Sequence, residues 1–320
     1  MGHDRPLSDI LHPMIPEFER AGLAVLERGW LSSNNILFAG DAQHSPVLVD
    51  SGYWSHGAQT VALVRRLLGG RRLERVVNTH LHSDHCGGNA ALQEAFDCAI
   101  DVPAGEADKV DRWDESALTF AATGQACPRF VRSAAIGAGD EIALGAWRWQ
   151  ALASPGHDPE SLVLYQPELE LLISADALWE NGFGIVFPEL DGEPGFDDVR
   201  STLERLSALR VRWVIPGHGR PFQDHAEAIG RAHRRLDGLA ADPVRHARHA
   251  TKVLIKFHLM ELQRQSLDEL DRWLDATAHL RDVHARFGGP TTYRDWCRAL
   301  IGELVASGAL RRNGESVENG

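Results

Sequence analysis

The sequence contains the segment Asn78-Thr79-His80-Leu81-His82-Ser83-Asp84-His85-Cys86-Gly87-Gly88-Asn89. Three histidines and one aspartate lie within six residues of this segment, directly after an apolar strand that we predict over 75–79. Imidazole is the commonest metal ligand in proteins, and imidazoles combined with carboxylate suit zinc, iron or manganese. If the backbone stays extended, His80 and His82 point to one side and His85 points to the other. The segment therefore predicts a loop that supplies ligands to two neighbouring metal ions.

A histidine beside a strand is often structural or simply exposed, so that alternative has to be weighed. Four potential ligands at this density are different, because packing them together without a metal would leave crowded polar groups to satisfy. Gly87 and Gly88 allow a tight backbone turn, so that the next helix can begin close to the site. We therefore interpret the segment as a metal-binding loop.

Three later residues strengthen this interpretation. His157 lies in a Ser-Pro-Gly-His-Asp turn after a predicted strand, Asp176 follows another strand, and His218 lies in Pro-Gly-His-Gly after a third. Each signal is weak alone, because the histidines could be turn residues and the aspartate could cap a helix. All three lie at strand ends, however, where the sites of layered α/β folds collect.

The ordered set resembles the ligand motif of the metallo-β-lactamase superfamily, over roughly residues 25–225. The resemblance implies an α+β fold, an αββα sandwich with a two-metal site at one edge of the paired sheets. It implies seven ligands. His80, His82 and His157 would bind the first metal, Asp84, His85 and His218 would bind the second, and Asp176 would bridge both. Asp50 matches the strand-end aspartate that supports such a site from behind.

Aspartate at both 84 and 176 resembles the glyoxalase II, lactonase and RNA-processing branches of that superfamily. Zinc β-lactamases generally lack the bridging aspartate, so antibiotic hydrolysis is disfavoured. In glyoxalase II a basic residue that binds glutathione, with an aromatic partner, stands where this chain has Ile185 and Val186. Glutathione thioesters are therefore not the expected substrates.

The resemblance implies a binuclear metal-dependent hydrolase that cleaves an ester, thioester or lactone. A hydroxide shared by the two divalent ions would attack the carbonyl, and Asp84 would orient it and pass its proton to the leaving group. Zinc is the expected metal, with iron or manganese as alternatives. Three alternative functions stay open: a phosphodiesterase or ribonuclease, a mononuclear iron dioxygenase using His80, His82 or His157 together with Asp176, and a DNA-binding sensor.

Composition sets the remaining expectations. The chain has 320 residues, 43% of them hydrophobic, which suggests about two domains. We expect a catalytic domain over 1–235 and a small, mainly helical, winged-helix-like domain over 236–320. The formal net charge of −12 disfavours nucleic acid and anionic membranes as partners, and favours a small-molecule substrate. Without a recognisable signal peptide or membrane span we expect a cytoplasmic protein, and homodimerisation stays open.

Local patterns give further expectations. We predict helices over 58–68 and 199–209, and strands over 30–38, 46–50, 75–79, 98–102, 147–153, 161–165, 169–174 and 213–215. The polar tail 311–320 is expected to fray. A basic run over 245–256 would form a solvated helix face, or would neutralise an anionic substrate tail or a dimer partner. Four aromatic residues are candidate pocket walls: Trp54, Trp179, Phe183 and Phe187.

Overall fold

The computed structural model describes residues 15–320. The expectation about a signal peptide concerns residues 1–14 above all, and these lie outside the described residues. Within 15–320 the strands form three sheets. The first has six strands in the order β1 Leu23–Leu26, β2 Asn35–Phe38, β3 Val47–Val49, β4 Arg75–Val77, β5 Ala99–Pro103 and β6 Ala134–Ile136. The second has five strands in the order β11 Trp213–Pro216, β10 Leu171–Ala175, β9 Leu162–Gln166, β8 Trp147–Ala153 and β7 Glu141–Leu144.

The two sheets pack face to face, and successive side chains of their strands point alternately into the core between the sheets and toward the outer layers. Ile36 and Phe38 of β2 point into the core between the sheets, whereas Leu37 points to the outer layer. In β10, Ile173 lies in the inner core and Leu172 lies in the outer core. Both sheets are therefore apolar on both faces, and each outer face has to be covered by helices.

Helices cover both outer faces. The helices on the first sheet's side are α2 Gly57–Leu68, α3 Ser83–Cys86, α4 Asn89–Phe96, α5 Ala107–Arg112 and α6 Glu115–Leu118, and a short α1, Pro16–Ala21, precedes β1. On the other side, α7 Phe187–Asp191 follows β10, and α8 Gly195–Ser207 and α9 His225–Ala240 cover the second sheet. The four layers confirm the αββα sandwich.

Most predicted strands are present, with one clear exception. The strand predicted over 30–38 is wrong in its first half, because β2 begins at Asn35. The preceding residues bind the site loops instead: the Ser33 amide donates to the carbonyl of Asp84, and the Asn34 amide donates to the carbonyl of Gly217. This segment ties together the chain after β4 and the chain after β11.

The C-terminal part is mainly helical, as predicted. It consists of α10 Pro243–Leu262, β12 Arg264–Ser266, α11 Leu267–Ala276, α12 Ala278–Phe287, α13 Tyr293–Ala306, β13 Leu310–Asn313 and β14 Ser316–Asn319. The small sheet has the order β12-β14-β13. This connectivity agrees with a winged-helix-like unit, which stays a prediction.

The expectation of a frayed tail is wrong. β13 and β14 form an antiparallel hairpin with β12. Leu310 and Val317 are each only 1% exposed and enter the core of the C-terminal helices. Val317 within the tail and Leu310 directly before it anchor the hairpin, and their burial together with the strand pairing offsets the entropy of a free end.

The predicted boundary at residue 235 falls inside α9. Ala232 and Leu236 of that helix pack in the outer core of the second sheet. The next break is Ala241–Asp242, where the Asp242 side chain accepts a hydrogen bond from the Arg245 amide and caps α10. The two-domain division stays a proposal, with the boundary best placed at 241–242. Within residues 15–320, none of the helices combines the length and apolar character needed to cross a membrane.

Candidate metal centre

The candidate ligands lie where neighbouring strands end. Residues 78–82 follow β4, His157 follows β8, Asp176 follows β10 and His218 follows β11. These strands belong to two sheets packed on one core, so their ends meet at one edge of the sandwich. The edge brings together all seven residues that the sequence singled out.

The seven side chains form two adjoining groups. Within each group the candidate ligand atoms lie within 4.8 Å of one another. The first group consists of His80, His82 and His157. The second group consists of Asp84, His85, Asp176 and His218. Asp176 contacts both groups: its Oδ2 is 3.4 Å from His157 Nε2, and its Oδ1 is 3.4 Å from His85 Nε2. Asp176 therefore lies between the two groups, and its two oxygens face ring nitrogens of both.

The reason for the two groups differs from the expected one. The chain is extended only as far as His82, which has φ −66° and ψ 148°, and α3 begins at Ser83. Asp84 and His85 therefore reach the second group through a helical turn and not through strand alternation. The candidate ligands do lie in two groups, but the extended-backbone argument for this arrangement is wrong.

Buried nitrogen atoms without partners indicate what the groups can hold. Among the described residues, His80 Nε2 and His85 Nε2 are buried and have no hydrogen-bond partner. Burial lowers the pKa of His80 well below its ordinary value, and it lowers the pKa values of His82 and His157 to about 4. His80 therefore offers a free lone pair, and His82 and His157 are neutral imidazoles whose ring nitrogens lie 2.7 Å apart, so the first group fits a divalent metal ion.

The second group carries more negative charge. Burial opposes ionisation of Asp176, but His218 and His85 hold its pKa well below the usual range. Burial alone would lower the pKa of His85, but Asp176, Asp50 and Asp84 raise it well above the ordinary value. The group is therefore a set of anionic oxygens and imidazoles whose protons a cation would replace.

Asp50 orients His85 from behind. Its Oδ2 is 2.8 Å from His85 Nδ1, and its two oxygens accept hydrogen bonds from the Thr79 amide and hydroxyl at 2.9 and 2.8 Å. Asp50 has φ +55°, in the left-handed region that few residues other than glycine adopt. This backbone places the carboxylate so that His85 Nε2 faces the site.

Two glycines are required by close approach to the ligands. A Cβ on Gly217 would lie 2.1 Å from Asp176 Oδ1, and a Cβ on Gly184 would lie 2.4 Å from His157 Nδ1. The sequence analysis gave neither glycine a role, although Gly217 directly precedes the candidate ligand His218 and Gly184 directly precedes Ile185. Their position beside residues that the resemblance singled out was the available signal.

Five of the seven residues, from both groups, line a cleft of about 340 Å³, namely His82, Asp84, His157, Asp176 and His218. The predicted walls Trp179 and Phe187 line it, whereas Phe183 is buried in the outer core and Trp54 lies elsewhere. Trp30 also lines the cleft and stacks on His218, with ring centroids 5.3 Å apart.

Other cleft residues were missed by the sequence analysis. Glu106 is buried and its carboxylate lies 2.8 Å from Lys109 Nζ. Burial and the neighbouring Asp158 raise the pKa of Glu106 to about 6. Asp158 directly follows His157, and its Oδ2 is 3.9 Å from His82 Nε2. The C-terminal part contributes residues too, of which Phe257 is the largest.

Substituting Asp50→Asn should weaken metal binding about 10- to 100-fold, because the residue behind a ligating histidine fixes its ring and raises its basicity. Competition with a fluorescent chelator measures the affinity. Asp101→Asn is the matched control, since Asp101 is also a buried carboxylate of the first sheet but pairs with Arg75. Equal affinities for the two variants would contradict the role given to Asp50.

Comparison with known proteins places the chain in a family. A sequence model of the metallo-beta-lactamase superfamily matches residues 28–218. Hydroxyacylglutathione hydrolase of Hyphomonas neptunium is 33% identical over 115 residues, 36% of this chain and 38% of that protein. The enzyme of that name from Rhizobium meliloti is 30% identical over 148 residues, 46% of this chain and 47% of that protein. The matches thus span less than half of these curated relatives.

Solved structures share the fold. A beta-lactamase domain protein from Burkholderia ambifaria has a TM-score of 0.60 at 21% identity, over 100% of this chain and 97% of that one. The protein TTHA1623 in a di-iron-bound form has a TM-score of 0.50 at 26% identity, over 66% of this chain and 96% of that one. The family match covers well over half of the chain, and the chain belongs to the metallo-beta-lactamase superfamily.

Proposed function

We propose that this protein is a binuclear metal-dependent hydrolase that cleaves a carboxylic ester, a thioester or a lactone. The observation that carries the proposal is the pair of adjoining ligand groups with Asp176 between them. The matched hydroxyacylglutathione hydrolases support hydrolysis as the reaction class.

His80, His82 and His157 would hold one ion, Asp84, His85 and His218 the other, and Asp176 would bind both. When bound, two divalent ions would polarise the substrate carbonyl and lower the pKa of a water molecule between them. The nitrogen and oxygen ligands suit zinc, with iron and manganese as alternatives. The di-iron form of TTHA1623 supports iron as an alternative.

Asp84 is the residue best placed to handle a proton. Its Oδ2 lies 3.0 Å from His218 Nε2, and its side chain lines the cleft. His85, and the hydrogen bond from His218, keep its pKa below the ordinary value despite burial. Asp84 would therefore orient the attacking water as a carboxylate, accept a proton from it and pass that proton to the leaving group.

The cleft favours an uncharged substrate with an apolar part. Leu118, Phe120, Phe187, Val253 and Phe257 line it, and Ile185 lines it where glyoxalase II has a basic residue. Lys109 contributes a positive charge to the lining but already pairs with Glu106. Glutathione conjugates are anionic, and at Ile185 they would meet an apolar side chain where glyoxalase II provides a cation. A substrate with an apolar acyl group therefore fits this cleft better than a glutathione thioester.

Charge also disfavours nucleic acid as substrate or partner. The cleft lining includes four carboxylates besides the proposed ligands: Glu106, Asp158, Asp191 and Glu193. On α13, Arg294 pairs with Asp275 and Arg298 pairs with Asp271, both at 3.1 Å. These ion pairs neutralise the positive charges that would otherwise attract nucleic-acid phosphates. We therefore favour the carbonyl hydrolase over the ribonuclease and the DNA-binding sensor.

Asp176→Asn and His82→Ala should each abolish turnover of whichever ester, thioester or lactone the wild type cleaves in a screen. Each variant removes a metal ligand at the cleft floor without removing core packing, so far-ultraviolet circular dichroism should stay unchanged. His44→Ala, at a histidine that contacts Asp41 outside the cleft, serves as the control. Wild-type turnover in either ligand variant would rule out the proposed reaction centre.

Phe257→Ala should reduce kcat/KM for substrates with long or aromatic acyl groups about tenfold and leave acetyl substrates unchanged, because it removes apolar wall area. The measurement is kcat/KM across an acyl-chain series. Leu259→Ala truncates a buried residue of the same helix that does not line the cleft, and it controls for lost stability. The same acyl preference in both variants would show that Phe257 does not contact the substrate.

A further inference from the structure

A second cavity, of about 730 Å³, lies between α9 and α10. In the described part of the chain its lining residues are all different from those of the metal-centre cleft. Five cationic side chains line it, namely Arg234, Arg235, Arg245, Arg248 and Lys252. Only two carboxylates, Asp242 and Glu303, stand among the lining residues.

Both carboxylates are already engaged. Glu303 of α13 binds Arg248 through one oxygen and Lys252 through the other, the second at 3.0 Å. Asp242 accepts a hydrogen bond of 3.0 Å from the Arg245 amide as the cap of α10. Within the basic run predicted over 245–256, Arg248 and Lys252 are therefore neutralised by Glu303, whereas Arg245 is not.

Three arginines are left without an anionic partner. Among residues 15–320, no carboxylate oxygen lies within 4 Å of the guanidinium nitrogens of Arg234, Arg235 or Arg245. Arg235 is half-buried, and its Nε is fully enclosed without a hydrogen-bond partner. One of its terminal nitrogens lies 3.0 Å from His249 Nε2, and its guanidinium carbon is 5.6 Å from the centre of the Phe183 ring.

The positive charges around this cavity repel one another, and burial together with this repulsion lowers the pKa values of Arg235 and His249. Burial lowers the pKa of Arg235, and the charge of Arg245 lowers it further. Burial also lowers the pKa of His249 to about 4, and Arg235, Lys252 and Arg245 add to this effect. His249 is thus neutral at pH 7 and accepts a hydrogen bond from Arg235. An anion in the cavity would relieve the repulsion and supply an acceptor.

We propose that this cavity is a binding site for a small multivalent oxyanion, a phosphate ester being the class that fits it best. Guanidinium groups bind phosphate oxygens through paired N–H donors, and three of them line this cavity from α9 and α10, with Arg234 and Arg245 exposed and Arg235 half-buried. The volume exceeds that of a single phosphate and lies in the range of small-molecule sites. A phosphorylated compound would therefore leave room for its organic part.

The cavity also adjoins the loop that follows Asp176 of the candidate metal centre. Asn181 lines the cavity, and Arg235 packs against Gly182 and Phe183 in the loop that follows Asp176. A bound anion would hold α9, α10 and this loop together. The proposal is independent of the proposed hydrolase function, because none of the lining residues is a proposed ligand.

Isothermal titration of the metal-loaded, full-length protein with inorganic phosphate at constant ionic strength tests the site. Arg234→Ala/Arg245→Ala should weaken binding about tenfold for each arginine removed, since each loses charged hydrogen bonds. Arg210→Ala/Arg212→Ala is the matched control, because it removes the same charge from two exposed arginines that pair with Glu170 and Glu17. The control should bind like the wild type.

Equal phosphate affinity in the two double variants would overturn the proposal, because the anion would then bind elsewhere, such as at the metal ions. Tighter binding of citrate than of phosphate by the wild type would overturn the phosphate class. Arg245→Glu gives a second readout: it should raise the Tm without phosphate and remove the rise in Tm that phosphate causes. An unchanged Tm for this variant would show that the cluster is not under repulsion, against the proposal.

Discussion

The contact of Asp176 with ring nitrogens from both histidine groups is the constraint on which the rest of this structure depends. Its two oxygens lie 3.4 Å from His85 Nε2 and from His157 Nε2, on side chains that follow strands of different sheets. Such a set of buried nitrogens and carboxylates is costly to assemble without a cation. The close packing of the two sheets, the glycines at 184 and 217, and the bond from Asp50 to His85 all serve to hold it.

The C-terminal part shapes what the centre can reach. Ile185 and Leu190, which follow the loop after Asp176, pack in the same apolar core as α10 and α13. The same docking places Phe257 in the cleft wall and sets α10 beside α9 around the second cavity. The packing of the C-terminal helices against Ile185 and Leu190 thus helps to form both the substrate cleft and the proposed anion site.

The sequence was informative where chemistry and local pattern coincide. The seven candidate ligands could be singled out because His and Asp cluster at strand ends, and the sandwich followed from the resemblance they carry. The turn into helix at Ser83 could not be predicted, nor could the pairing of the polar tail into β13 and β14, which depends on two residues entering a distant core. Phe257 and Glu106 are remote in sequence from the ligands, so only tertiary packing places them in the cleft.

The metal content of protein purified without chelators or affinity-column nickel tests the central claim most directly. Plasma mass spectrometry should find close to two equivalents of zinc, or of zinc and iron together, because each of the two adjoining groups would hold one ion and Asp176 contacts both groups. One equivalent of iron with oxygen uptake would indicate the dioxygenase instead. Protein that holds no metal, and regains none on reconstitution, would contradict the account.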